Sequence, residues 1–223
     1  MKTLVQSVAR NVIPRSMRTA MPIGWQAILC RVTGDPPRFS PPPADGKVRL
    51  NLGSGGMPLP GYLNVDQAPE REGSKPDIVS DVLELKLPDC YADEIMAVHL
   101  FEHIYLWDVD RALREWHRVL KPSGRLVVEL PDLVKSARNF LRNPDIFDAE
   151  TMKLSMHGFY GDPQFRDTAM IHKWGWTPRA LARKLRDCGF VNVREQLPMF
   201  HQMRRDFRLC AEKPTVQLEC AAG

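Results

Sequence analysis

Cysteine is scarce in this chain and shows no pattern. Five cysteines, at positions 30, 90, 188, 210 and 220, are spread over 223 residues, with no C-x-x-C pair and an odd total. That argues against a zinc framework or a disulfide scaffold and fits a reducing cytosol. Long hydrophobic runs are also missing. No stretch reaches the ~18 apolar residues that a membrane helix needs, and no continuous apolar core of a secretory signal is present. Excess charge of one sign is modest: the net charge is +4, with no dense Lys/Arg stripe in the body of the chain. A nucleic-acid partner is therefore not expected. Internal repeats are absent, and no His/Asp/Glu set has metal-ligand spacing, so no metal is expected either. The terminal Cys220-Ala221-Ala222-Gly223 imitates a prenylation box. Gly is a poor last residue there, and no polybasic run precedes it.

What remains is the composition of a globular protein, 43% hydrophobic and 26% charged. That is enough for one well-buried domain with a modest extension. The polar, proline-rich "RFSPPPADGK" (Arg38–Lys47) reads as a linker. We therefore divide the chain into residues 1–45 (extension and linker), 46–213 (main domain) and 214–223 (tail). The extension carries Lys2, Arg10, Arg15, Arg18, Arg31 and Arg38 against Asp35, and Leu4, Val5, Val8 and Val12 share one face of a short helix. It reads as a helical lid on the main domain. A basic segment resting on an anionic membrane surface and an Arg-rich organellar presequence are the alternatives. The expected location is the cytoplasm, with peripheral membrane contact through this segment as the variant. The oligomeric state leaves no trace in the sequence.

Beyond the linker, short apolar runs alternate with helical patterns. Val48–Leu52, Tyr62–Val65, Ile78–Ser80, Glu94–Val98 and Arg125–Leu130 read as strands. Val109, Leu113, Trp116 and Leu120 recur at helical spacing, with Asp108 placed to cap the start and Lys121-Pro122-Ser123-Gly124 to end the helix. A strand, a helix and a strand make the parallel-sheet unit. Thr177-Pro178 opens a further helix that Gly189 closes. Two late strands follow, near Phe190–Arg194 and Phe207–Glu212. The expected fold is α/β, a Rossmann-like, doubly wound, mostly parallel sheet with an N-terminal helical extension.

"VRLNLGSGGMPLPGYLNVD" (Val48–Asp66) carries the first functional signal. Gly53, Ser54, Gly55 and Gly56 follow the first strand directly, and small residues let backbone N–H groups approach a ligand. Asp66 ends the second strand, where a carboxylate can accept both hydroxyls of a ribose. Asp81 ends the third, where it can accept from an adenine amino group. The glycines alone are equally well a tight turn. Three successive strand ends carrying glycines, an acid and an acid point to a ligand beyond the carboxyl ends of the strands.

"LNLGSGG", "NVD", "IVSDV", "DEIMAVHLFEHI" and "HRVLKPSGRLVVELPD" occur in this order. Together they resemble the class I S-adenosylmethionine-dependent methyltransferases, closest to a bacterial subgroup linked to surface polysaccharide or glycan modification. The resemblance covers about Lys47 to Lys213, and it implies S-adenosylmethionine as cofactor. It places Asn51, Gly53, Ser54 and Gly55 against the methionine and ribose parts, and Asp66 on the ribose hydroxyls. Asp81 and the backbone of Val82 would hold adenine. His99 and Leu100 would line the cofactor near its sulfonium. The chain departs from the pattern at Met57, where many members have a third glycine. The usual crossover helix is replaced by "MPLPGYL". A short turn should therefore join the first two strands, with Asp66 still ending the second.

A hydroxyl acceptor must lose a proton, and a histidine near neutral pKa suits that task. "MHGFYGD" holds His157, "IHKWGWTP" holds His172, and His103 follows Glu102 near the fourth strand. His172 is the first candidate base, His157 the second and His103 the third. Glu102-His103 also reads as a local cap for the following helix. Trp174 and Trp176 alternate as in a strand, which makes them either core residues or, if exposed, a platform for sugar faces. The leading expectation is methyl transfer to a hydroxyl of a sugar, glycan or glycolipid, with a small-molecule metabolite as the alternative acceptor. An NAD-type oxidoreductase fits less well, because its G-x-G-x-x-G needs glycine where Pro58 stands. A non-catalytic binding module is the third reading, and the intact Asp66 and Asp81 count against it.

Overall fold

A computed structural model describes residues 45–215. The N-terminal segment, with its lid, membrane and presequence readings, and most of the C-terminal tail lie outside the described residues. Seven strands form one sheet: β1 (Arg49–Leu52), β2 (Leu63–Asp66), β3 (Ile78–Val79), β4 (Ala92–Val98), β5 (Leu120–Pro131), β6 (Val191–Gln196) and β7 (Asp206–Glu212). Their order is β3-β2-β1-β4-β5-β7-β6. The first five run parallel, and β7 is antiparallel to both β5 and β6. The chain winds outward from β1 to β3, then returns to add β4 on the other side of β1. That reversal opens a crevice at the carboxyl ends of β1 and β4, where an open α/β sheet takes its ligand.

Alternation along the strands sorts the core. Leu50 and Leu52 of β1, Ile95 and Ala97 of β4, and Leu126 and Val128 of β5 pack into the main core. The residues between them, Met96 and Val127, join Cys210 in a smaller cluster with Leu59, Tyr62 and Phe200. Helix α1 (Val109–Val119) gives Val109, Leu113 and fully buried Trp116 to the main core. The Trp116 indole N–H also donates to the Val82 carbonyl at 2.9 Å. Packing of α1 thereby fixes a residue of the crevice wall. Helix α3 (Pro178–Asp187) buries Leu181 and Leu185 in the same core. Helix α2 (Leu133–Arg142) follows β5, with Asp132 as N-cap.

The turn between the first two strands is as short as the sequence suggests. Residues 53–62 contain no helix, and Asp66 is the last residue of β2. Pro58 and Pro60 suit extended, turned backbone rather than helix. Thr177 caps α3 through its hydroxyl, which accepts from Ala180 N at 3.2 Å, and Gly189 follows in the left-handed region at φ +91°.

Three expectations need correction. Asp108 stands before α1, but its side chain caps nothing, because its own backbone is helical. Lys121–Gly124 does not end α1. The helix stops at Val119, and the segment is absorbed into β5 by paired bonds of Ser123 N to Lys213 O and Lys213 N to Gly124 O. Trp174 and Trp176 do not sit on a strand: Trp176 forms one isolated bridge with Asp132 and is buried, while Trp174 is 46% exposed. Among the described residues, no helix is long and apolar enough to cross a membrane.

Candidate functional site

The crevice is a cavity of ≈ 540 Å³, within the usual range for a small-molecule site. One wall comes from the ends of β1, β2 and β3. Asn51, Gly53, Ser54, Gly55, Asp66, Asp81 and Val82 all line it. The opposite side carries His99, Leu100 and His103 from the end of β4. A later segment, between α2 and α3, adds His157 and His172. All twelve residues singled out in the sequence therefore face one space.

The glycine turn is built for close approach. Gly53 and Gly55 have φ of +65° and +52°, and a Cβ on Gly53 would lie 2.8 Å from Leu100 Cδ1. Gly53→Ala therefore adds a clash to a left-handed penalty of about 1–2 kcal/mol. The expected result is a lower melting temperature and a displaced Leu100; an unchanged melting temperature would contradict it. Asp66 braces the turn from below. Its two oxygens accept from Gly55 N and Ala68 N, both at 2.9 Å. Each carboxylate oxygen keeps a second lone pair for a ligand hydroxyl. Asp81 is exposed, and one of its oxygens accepts from Leu83 N at 2.8 Å. Beneath the turn, Asn51 donates to Asn64 Oδ1 at 3.0 Å, and Leu59 N donates to the same oxygen at 2.8 Å. Asn64 in turn donates to Asp77. This buried polar ladder holds the "MPLPGYL" segment in place without a helix.

On the far side, His99 takes a left-handed φ of +49°, uncommon for a non-glycine residue. Strain of this kind collects at functional sites. Its Nδ1 lies 2.9 Å from Glu102 Oε1, and its Nε2 lies 3.3 Å from Asp206 Oδ2. Burial opposes charge on the ring, but the carboxylates of Glu102 and Asp206 outweigh it and push the His99 pKa up to about 9. Burial likewise opposes charge on Glu102, yet His99 holds it down to about 2. Asp206 is also lowered, by His99 and by Arg205, whose Nε donates to it at 2.6 Å.

This arrangement gives stability a definite pH window. The His99 share is fully present below its ordinary value of 6.5 and is lost as pH rises through about 9. The Glu102 share is present above its ordinary value of 4.5 and is lost as pH falls toward about 2. Melting temperature measured against pH should therefore be highest between these limits. His99→Gln should flatten the alkaline limb, and an alkaline limb unchanged in that variant would contradict the ion pairs.

The three candidate histidines differ in what their rings do. His172 Nδ1 lies 3.1 Å from the Gly158 carbonyl, and His103 Nδ1 lies 3.2 Å from the Ile171 carbonyl. A carbonyl only accepts, so each ring donates its Nδ1–H, and the neutral form of each ring leaves Nε2 as a lone pair. His172 Nε2 is 3.8 Å from Glu102 Oε1, and the two rings meet edge to face at 4.9 Å. Burial lowers the His172 pKa and keeps it neutral at neutral pH, against the opposing pull of Glu102. His157 stands apart, with Nδ1 3.7 Å from Asp162 Oδ2, and burial lowers its pKa too. It directly follows a π-helical stretch, Met152–Met156, a geometry frequent at functional sites.

The sequence did not reveal Glu102 as a site residue. It caps no helix: it is 2% exposed and lies at the centre of His99, His103 and His172. Lys173 N and Trp174 N both bond to its backbone carbonyl, and this contact carries His172 to it. Nor did spacing reveal Arg205, His201 or Arg71, which also line the cavity. Buried Glu129 holds their neighbourhood by accepting from Met199 N, Phe200 N and His201 N.

Residues 63–128, from β2 to the middle of β5, match the model of a methyltransferase domain family. Over 108 residues the chain is 31% identical to two Mycobacterium tuberculosis proteins named "Probable S-adenosylmethionine-dependent methyltransferase". That alignment covers 42% of this chain and 39% of those relatives. The fold matches the crystal structure of an Archaeoglobus fulgidus S-adenosylmethionine-dependent methyltransferase, with TM-score 0.51 and 20% identity, over 96% of this chain and 95% of that one. The chain is thus similar, over part of its length, to S-adenosylmethionine-dependent methyltransferases, and it shares their α/β fold. The glycine turn, Asp66 and Asp81 lie together on the strand-end side of the cavity. The tight Gly53–Leu100 approach and the spare lone pairs of Asp66 fit a ribose and its attached chain. His103, His157 and His172 line another part of the same cavity.

Proposed function

We propose that this methyltransferase domain moves a methyl group from S-adenosylmethionine to an acceptor hydroxyl of a sugar, glycan or glycolipid. The observation that carries the reading is one cavity with two chemically distinct sides. Strand-end glycines and acids form one side, and histidines around a buried carboxylate form the other. When bound, S-adenosylmethionine supplies the reactive methyl group as a sulfonium; the protein supplies position and electrostatics.

The residues divide the work as follows. Asp66 binds the ribose hydroxyls, and Asp81 with the Val82 backbone binds the base. Gly53, Ser54 and Gly55 let main-chain groups approach, while His99 and Leu100 shape the wall opposite. The acceptor hydroxyl is activated at Glu102, His103 and His172, the groups with free Nε2 lone pairs beside a carboxylate. His157 receives the proton: it is neutral, and Asp162 stabilises its charged form. A stacked aromatic pair supports a sugar acceptor. Tyr105 lines the cavity, and its ring lies 4.6 Å from that of Trp107, nearly parallel, with Trp107 76% exposed. Exposed aromatic faces of this kind suit the apolar faces of pyranose rings.

A transfer assay with labelled S-adenosylmethionine tests the acceptor. The full chain would be offered fractionated envelope glycans, glycolipids, small metabolites, protein and nucleic acid. Label is expected in the glycan or glycolipid fraction. Label confined to protein or nucleic acid would overturn the acceptor class.

A further inference from the structure

We propose that Glu102, His103 and His172 form a binding site for one divalent first-row cation of the Zn²⁺ or Mn²⁺ type. Its role in activating the acceptor rests on the methyl-transfer reading above; its existence does not. One ligand atom from each of the three residues lies within 4.8 Å of the other two, the one such set among the described residues.

Four features point to a cation. The donor set is two imidazoles and one carboxylate, which suits Zn²⁺, Fe²⁺ or Mn²⁺ better than Mg²⁺ or Ca²⁺. Both rings are already oriented as metal ligands, since their Nδ1–H groups donate to the carbonyls of Gly158 and Ile171. Outer contacts of that kind fix the tautomer and aim Nε2 at an ion. Glu102 is 2% exposed, yet neither of its oxygens receives an aligned hydrogen bond. His99 Nδ1 lies 2.9 Å from Oε1 as an ionic contact. A buried carboxylate oxygen without a partner is costly, and a cation would satisfy it. Finally, three protein ligands leave positions open, and the set faces the cavity through His103 and His172.

Ligand–metal distances of about 2.1 Å would bring the three atoms to about 3.4 Å apart in a tetrahedral site. Against the 4.8 Å limit of the present set, that is a tightening of roughly an ångström. An acceptor oxygen in an open position would be acidified by the ion. As its O–H bond breaks, the electron pair stays on oxygen and the proton passes to His157.

The test begins with full-length protein freed of metal by chelator dialysis. Zn²⁺ is added in a calorimeter, and Co²⁺ is added under visible absorption as a spectroscopic substitute. One ion per chain should bind, with Co²⁺ bands of nitrogen and oxygen ligation. Glu102→Gln and His172→Ala should each weaken Zn²⁺ binding at least ~100-fold, as loss of one of three ligands does. Glu102 and His172 are buried, so His103→Asn, at a more open position, provides the variant least prone to unfolding. No stoichiometric Zn²⁺ or Co²⁺ binding to the wild type, or equal binding by all three variants, would overturn the site. If chelated protein methylates a hydroxyl acceptor at the full rate, the assigned role of the ion is overturned. Zn²⁺ binding without any S-adenosylmethionine binding would uphold the site and remove the methyl-transfer reading instead.

Discussion

His172→Ala is expected to lower methyl transfer at least ~100-fold, the lower bound for losing a group that assists proton removal. S-adenosylmethionine affinity should not change under the proposed division of the cavity, in which His172 meets the acceptor. Local geometry explains why this one ring matters. It is fixed by the Gly158 carbonyl at 3.1 Å, lies edge-on to His103, and turns its free nitrogen to Glu102. The backbone contact of Lys173 N to the Glu102 carbonyl at 2.7 Å holds this segment against the cluster. Single-turnover kinetics with saturating cofactor would measure the loss. A turnover equal to wild type would remove His172, and with it the Glu102 cluster, from acceptor activation.

The second large effect concerns stability. Glu129→Ala should destabilise the fold by about 3–5 kcal/mol, the range for breaking a buried ion pair by removing one partner. Glu129 is fully buried near the carboxyl end of β5 and pairs with Arg208 of β7 at 3.2 Å. It also accepts from Met199 N at 2.9 Å and Phe200 N at 2.8 Å. The alanine variant would leave the Arg208 charge and those backbone donors without an acceptor in the interior. Glu129→Gln keeps an acceptor oxygen and should cost less. Denaturant unfolding would show the difference, and a loss below about 1 kcal/mol, the scale of an ordinary hydrogen bond, would contradict the pairing. Because Phe200 and His201 line the cavity, the alanine variant should also weaken ligand binding at temperatures where it remains folded.

Much of the strand-end wall of the cavity was legible because its residues sit at strand ends. A strand followed by glycines, or ending in Asp, is a local pattern, and parallel pairing of β1 with β2 and of β2 with β3 then aligns those ends. Even the missing crossover helix was readable, since prolines at 58 and 60 suit a turn. The histidine wall was only half legible. His103, His157 and His172 stood out by residue type, but nothing nearby in sequence shows what organises them. His99 meets Asp206 across 107 positions, and Glu129 meets Met199 across 70. Glu102 reads locally as a cap; only the return of residues 172–174 to its carbonyl makes it the centre of a cluster. The same reason hid the metal-type set, whose third member lies on another segment. The misplaced end of α1 is a smaller case. Lys-Pro-Ser-Gly is a turn signal, yet pairing with Lys213 recruits it into β5.

The central claim is that the glycine turn and Asp66 form an S-adenosylmethionine site. Calorimetric titration of the full chain with S-adenosylmethionine and, separately, with NAD, in wild type and Asp66→Asn, tests it most directly. One S-adenosylmethionine should bind per wild-type chain, NAD should not bind, and the variant should bind about 10–100-fold more weakly, the equivalent of one charged hydrogen-bonding group. NAD binding, no binding of S-adenosylmethionine, or equal affinity in Asp66→Asn would contradict it.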